Sequence, residues 1–106
     1  MKIKINKTNW NVYLVNEFRD EPGVLGKTCY LRGTVEILKG LSDEKMKSTI
    51  IHEIVHAYLD SYGFEVPNIE SVMLFSEEQV CEFIAMNGED IIHLSDKIYK
   101  TLVDRV

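Results

Sequence analysis

The sequence predicts an α+β fold in which a small antiparallel or mixed β-sheet precedes an α-helical half. Over the first forty residues apolar and polar side chains alternate between turn residues, which is the period-two pattern of β-strands. From residue 43 onward the apolar side chains recur with a helical period instead. A chain of 106 residues with 45% hydrophobic residues can bury one modest core. We therefore expect a single domain, with residues 1–40 forming the sheet and residues 41–106 the helical part that carries the site.

Four segments of the first part fit short strands: residues 2–5, 10–15, 27–32 and 34–38. Turn residues at 20–23 and 25–26 mark a loop between the second and third strands. The pair Arg32-Gly33 predicts a tight turn, so the third and fourth strands are expected to form a hairpin. An edge strand of such a hairpin could bind an extended peptide through its free backbone groups. An edge strand that only completes the fold would fit the pattern equally well.

The first predicted helix spans about residues 43–62 and contains the run His52-Glu53-Ile54-Val55-His56. Ser42 is expected to cap its N-terminus, and Gly63 is expected to end it. On a helix, residues four apart lie one turn apart on the same side, so His52 and His56 can bind one metal ion. Glu53 then lies beside that ion, where it can act as a base. This H-E-x-x-H spacing is typical of catalytic zinc sites, although two histidines on a solvated helix face would also produce it.

A catalytic zinc site usually has three protein ligands and one open position, so a third ligand is required. We expect it on the second predicted helix, for which Ser76 and Gln79 form a capping box. Before Ser76 the sequence predicts a loop at residues 64–68 and helical character from about residue 69. The candidate third ligands are Glu77, Glu78, Glu82 and His93. Two histidines and a carboxylate suit Zn²⁺ well, but Mn, Co, Ni or Fe could also fill such a site, and geometry rather than ligand type would decide among them.

The H-E-x-x-H run followed by an acidic helix resembles the gluzincin metallopeptidases, and in particular the small ImmA/IrrE-like and phage-encoded zinc proteins. The resemblance covers residues from about 49 to 85, and it implies a glutamate as the third ligand. The spacing of the family's glutamate motif favours Glu78, with Glu77 as the alternative. It also implies that the small side chains of Cys81 and Ala85 let the second helix approach the first closely. SprT-like proteins use a third histidine soon after the motif, whereas His93 stands far along this chain.

Two further acids could orient the histidines through hydrogen bonds to their second ring nitrogen. The resemblance points to Glu82, although the family prefers Asn or Asp at that position. Asp60 lies one turn beyond His56 on the same side of the helix, and it would equally well be an ordinary surface residue. The donor that would stabilise an oxyanion stays open among Tyr30, Tyr62 and His93, because the helical period turns Tyr58 toward the core.

From this motif we expect a zinc-dependent metallopeptidase in which Glu53 is the general base and an extended peptide or protein segment is the substrate. The alternative is a non-catalytic zinc-binding interaction or regulatory module of a phage or mobile element, in which the metal ion stabilises a small fold. An open metal position would favour the peptidase, and a closed site with four ligands would favour the module.

The composition also indicates which partners and which cellular location to expect. The net charge of -5 and the absence of a basic run argue against nucleic acid as a partner. The apolar runs are too short to span a membrane, and the first residues lack the features of a signal peptide, so we expect a cytoplasmic location, in the host if a phage encodes the chain. Cys29 and Cys81 are accordingly expected to be free thiols.

Overall fold

The computed structural model describes residues 1–63 and 76–105, and it has the α+β architecture that the sequence predicts. Four strands precede two helices. The strands are β1 (Lys2–Ile5), β2 (Thr8–Val15), β3 (Gly26–Cys29) and β4 (Thr34–Leu38), and the helices are α1 (Asp43–Ser61) and α2 (Glu77–Val103). The loop and helical character predicted for residues 64–75 lie outside the described residues.

The four described strands form one mixed sheet in the order β1-β2-β4-β3. β2 and β4 are parallel neighbours at its centre, whereas β1 pairs antiparallel with β2, and β3 pairs antiparallel with β4. The predicted hairpin of the third and fourth strands is therefore confirmed. It places β3 at one edge of the described sheet, beyond the strand that follows it in sequence.

Two turns set the strand ends. Asn6 and Lys7 both have positive φ, which matches the two-residue hairpin turn between β1 and β2. The third strand ends at Cys29, earlier than the predicted residue 32. The amide of Gly33, with φ of 65°, donates to the Cys29 carbonyl oxygen at 2.9 Å and closes the chain into a turn before β4 begins.

The core lies between one face of the sheet and the helices. Inward-facing side chains alternate along the strands, as a half-buried sheet requires. α1 packs its apolar stripe against them, and α2 packs against α1. The buried apolar side chains are Ile3, Ile5, Trp10, Val12, Val35 and Ile37 from the sheet, Met46, Ile50, Ile54, Ala57 and Tyr58 from α1, and Phe83, Ile91, Ile98 and Leu102 from α2.

Both helices begin at the predicted residues. The Ser42 hydroxyl accepts a hydrogen bond from the Lys45 amide at the start of α1. At the start of α2, Ser76 and Gln79 form the complete capping box. α1 ends before Gly63, whose φ of 78° costs glycine less than any residue with a side chain. Neither described helix is long and apolar enough to cross a membrane.

Candidate active site at the junction of strand β3 and helix α1

The candidate site lies where the edge strand β3 packs against α1. Gly26 and Thr28 are two residues apart on β3 and lie on the same face of the strand, and Tyr30 follows at the same spacing just after the strand ends. That side meets three positions of α1, namely Thr49, Glu53 and His56. Two strand residues advance the chain by about 6.7 Å, and the four and then three helical residues between these positions advance it by about 6 and 4.5 Å. The rises of the two elements are thus similar enough for all three contacts to form.

Glu53 is the buried charged residue at this junction, with only 8% of its side chain exposed. The Thr28 hydroxyl lies 2.7 Å from the Glu53 carboxylate oxygen Oε1 and 3.2 Å from the Glu53 backbone carbonyl oxygen. A buried carboxylate is costly unless it accepts hydrogen bonds, and Thr28 supplies such a bond from the neighbouring strand. The interaction fixes where the carboxylate lies relative to β3.

Gly26 brings the backbone of β3 close to the same carboxylate. A methyl group at this position would lie 2.8 Å from the Thr49 Cγ2 atom, 2.9 Å from the Glu53 Cγ atom and 3.2 Å from the Glu53 Oε2 atom. The first two distances are shorter than carbon atoms tolerate without displacement. The close packing of β3 on α1 at Glu53 thus depends on the missing side chain of Gly26.

The two histidines of the motif lie side by side on α1. Their ring centroids are 5.0 Å apart and the rings are inclined at 70°. His52 is the more accessible, with 68% of its side chain exposed, and its Nε2 atom lies 3.9 Å from the Glu53 Oε2 atom. His56 is half-buried, and its Nδ1 atom lies 3.3 Å from the Tyr30 hydroxyl. The structure therefore brings both imidazoles and the Glu53 carboxylate together, as the motif predicts.

A cavity of about 370 Å³ opens beside His52 and Glu53. Its wall combines apolar side chains from the segment leading into β3 with hydroxyl and charged groups from α1. The lining residues are Val24, Leu25, Gly26, Ser48, Thr49, His52 and Glu53. A cavity of this size with an acid and an imidazole at its wall could receive a small segment of substrate.

The structure does not bring the predicted third ligand to the histidines. Glu77 and Glu78 are exposed in the first turn of α2, and Glu82 and His93 are exposed farther along it. Within residues 1–63 and 76–105, His, Cys, Asp and Glu side chains form no group of three that could hold a metal ion. Glu78, with Glu77 as the alternative, stays a prediction as the third ligand.

The expected close packing through Cys81 and Ala85 is wrong for the described residues, because both side chains are exposed. The face of α2 that is buried runs instead through Phe83, Asn87 and Ile91. These residues recur at four-residue intervals, and large apolar side chains at such positions decide which face a helix buries. Both cysteines are free, as expected.

The remaining candidates lie at the margins of the site. Asp60 is half-buried near the end of α1, and its role toward the histidines stays a prediction. Tyr58 is buried in the core as expected, and Tyr62 stacks on it while remaining 42% exposed. Of the three proposed oxyanion donors, Tyr30 is the one that the structure brings against a histidine of the motif.

Thr28 and Gly26 are the site residues that the sequence did not reveal. Their spacing of two from each other and from Tyr30 was available as a signal, because it predicts one shared face of a strand. The spacing alone does not indicate that the strand face carrying Gly26 and Thr28 contacts the H-E-x-x-H motif.

Two of the three expected zinc ligands, His52 and His56, lie close enough together to bind one zinc ion. Two imidazoles one helical turn apart can both supply nitrogen ligands, and the neighbouring carboxylate is held by Thr28 on β3. Comparisons with models of protein families, with curated proteins and with solved structures found no match for this chain.

Proposed function

We propose that this chain is a zinc-dependent peptidase in which Glu53 is the general base. The observation that carries the proposal is the position of the Glu53 carboxylate. It is buried, held by Thr28, 3.9 Å from the Nε2 atom of His52 and part of the cavity wall. A solvated surface acid would have none of these features, and a purely structural zinc site has no use for an acid at this place.

The residues of the chain would divide the reaction between them. His52 and His56 would hold the zinc ion together with Glu78, or with Glu77 as the alternative. Zinc, when bound, acts as a Lewis acid toward water and the substrate carbonyl. Glu53 would accept a proton from the attacking water and then pass it to the leaving amine. Glu53 would thus end each cycle in its starting state.

The proposed substrate is a peptide or protein segment in extended conformation. β3 stands at the edge of the described sheet, and its inner face contacts the motif at Thr28. A peptide that adds to this edge would be held by main-chain hydrogen bonds while its backbone passes the site. The nearby cavity would receive one of its side chains.

Metal content and hydrolysis test the proposal together. We expect about one zinc ion per chain by elemental analysis, as for a catalytic site of this kind. His52→Ala and one of the pair Glu77→Ala and Glu78→Ala should lose the metal. Glu53→Gln should keep it and should hydrolyse an unstructured peptide library about 10²- to 10⁴-fold more slowly. A wild-type chain that binds no added zinc, or a Glu53→Gln variant with full activity, would overturn the proposal.

The alternative of a non-catalytic zinc-binding module draws support from α2. Five of its large apolar side chains are exposed, and such residues can form a binding surface: Val80, Ile84, Met86, Ile92 and Val103. In a module of this kind Glu53→Gln would leave both the metal and the biological effect intact. Loss of function in Glu53→Gln at unchanged metal content therefore separates the two proposals.

A further inference from the structure

We propose that Thr28 is a positioning residue that holds the Oε1 oxygen of Glu53 and so reserves the Oε2 oxygen for proton transfer. The inference rests on the proposed peptidase function and adds a residue from outside the H-E-x-x-H motif. The two carboxylate oxygens of Glu53 have different neighbours.

The Oε1 oxygen accepts the short hydrogen bond from Thr28. Its length of 2.7 Å lies at the upper end of the range for a hydroxyl donating to an ionised carboxylate. The Oε2 oxygen instead points toward the histidine side, 3.9 Å from the His52 Nε2 atom. One oxygen therefore accepts a hydrogen bond from the strand, and the other lies near His52.

The Thr28 hydroxyl has a single hydrogen, so it can fully serve only one acceptor. Its two neighbouring acceptors are both on Glu53, and the carboxylate oxygen at 2.7 Å is closer than the backbone carbonyl oxygen at 3.2 Å. Threonine is also branched at Cβ, which restricts rotation of its hydroxyl about χ1. A donor on a paired strand is thus aimed at one oxygen of a flexible glutamate.

Gly26 leaves the space beside the other carboxylate oxygen, Oε2, unfilled. The space a methyl group would occupy at Gly26 lies 3.2 Å from Oε2 and 2.9 Å from Cγ of Glu53. A side chain at position 26 would therefore displace Glu53 from its position beside Thr28. With one carboxylate oxygen held by Thr28 before substrate binds, Glu53 loses less conformational entropy in reaching the reactive geometry.

This geometry assigns the proton steps to one oxygen. A water molecule gives one proton to Oε2, and its oxygen forms a bond to the carbonyl carbon of the peptide. As the bond between carbon and nitrogen breaks, Oε2 returns the proton to the leaving amine. Thr28 keeps its own proton throughout and holds Oε1 in both states of the carboxyl group.

Steady-state kinetics of Thr28→Val and Thr28→Ser test this role in the zinc-loaded protein. Valine keeps the shape and removes the donor, so we expect kcat to fall about 10- to 100-fold while KM changes little. Serine restores the donor and should recover most of kcat. Thr34→Val is the matched control, because within the described residues the buried Thr34 hydroxyl has no hydrogen-bond partner. Should Thr28→Val fail to fold, Thr28→Ala replaces it in the comparison with Thr28→Ser.

A double-mutant cycle in zinc-free protein tests the contact without catalysis. We expect Thr28→Val to lower the urea midpoint of the wild type, and to lower it less when Glu53 is already replaced by alanine, since the Thr28 hydroxyl then has only the backbone carbonyl oxygen of residue 53 as acceptor. Equal effects in both backgrounds, or an unchanged kcat in Thr28→Val, would overturn the role of Thr28. Coupling in the cycle with no hydrolysis of any peptide would instead overturn the proposed peptidase function.

Discussion

The hydrogen bond between Tyr30 and His56 predicts a measurable loss of zinc affinity in the Tyr30→Phe variant. If His56 carries its proton on Nδ1, that nitrogen donates to the Tyr30 oxygen, and Nε2 carries the lone pair through which an imidazole binds a metal ion. Phenylalanine fills nearly the same space and cannot accept the hydrogen bond. The variant therefore loses the interaction that favours the metal-binding tautomer.

The size of the effect follows from the geometry of this bond. The separation of 3.3 Å between Tyr30 Oη and His56 Nδ1 is longer than usual for a hydrogen bond, and both residues are partly buried. A net contribution of about 0.7 to 1.4 kcal/mol is reasonable for such a bond. This free energy corresponds to a loss of zinc affinity of about 3- to 10-fold.

Competition with a chromophoric zinc chelator at constant pH measures this affinity. Tyr13→Phe is the matched control, since Tyr13 lies on β2 and is 39% exposed. An unchanged zinc affinity in Tyr30→Phe, or an equal loss in Tyr13→Phe, would refute the assignment of Tyr30 as the residue that orients His56.

Three further variants probe the framework around the site by urea or pH titration. Ser76→Ala removes the capping box of α2 and should lower the free energy of unfolding by about 1 kcal/mol. Ser61→Ala removes the hydroxyl that accepts a hydrogen bond from the Trp10 indole nitrogen at 2.9 Å, and it should also cost about 1 kcal/mol. Burial, with a smaller contribution from the charge of Asp90, raises the pKa of the Tyr58 phenol. The neutral phenol is thus favoured in the folded state, so stability should be lost as pH rises above about 10, and Tyr58→Phe should reduce this loss.

Matched controls accompany these three measurements. Ser48→Ala alters an exposed helical serine of α1 and should leave the free energy of unfolding within about 0.5 kcal/mol of the wild type. A loss as large as that of Ser76→Ala or Ser61→Ala would contradict the assigned roles of those serines. For Tyr58, an alkaline loss of stability that is identical in wild type and Tyr58→Phe would show that other groups cause it.

Local signals account for the parts of the fold that were correctly predicted. Alternation of apolar and polar residues predicted the bounds of β1 and β4, and turn residues predicted the hairpin of β3 and β4. Capping residues predicted the starts of both helices. Each of these signals involves residues only a few positions apart in the sequence. The parallel pairing of β2 with β4 is different, because the chain leaves β2 and reaches the sheet edge before it returns to the centre. No local pattern specifies such an order.

In the candidate site, too, the features set by nearby residues were predicted and those set by distant residues were not. The sequence predicted that His52, Glu53 and His56 belong together, since one helix alone brings them to one side. It did not predict that Glu53 is buried, because a glutamate is rarely buried without a partner and Thr28 lies on a distant segment of the chain. The role assigned to Cys81 and Ala85 was wrong for a related reason. Their small size says that a close approach is allowed, whereas Phe83 and Ile91 decide which face of α2 is buried.

The burial of Glu53 has a consequence for how the chain would respond to selection for heat resistance. Transferring a carboxylate from water into a buried junction costs free energy, and the hydroxyl of Thr28 offsets only part of that cost. Glutamine at position 53 would keep the shape and an acceptor for Thr28 while removing the charge. A library screened for thermal tolerance alone should therefore enrich Glu53→Gln, whereas a library screened for hydrolysis should discard it. Position 53 is a point at which stability and activity would favour different residues.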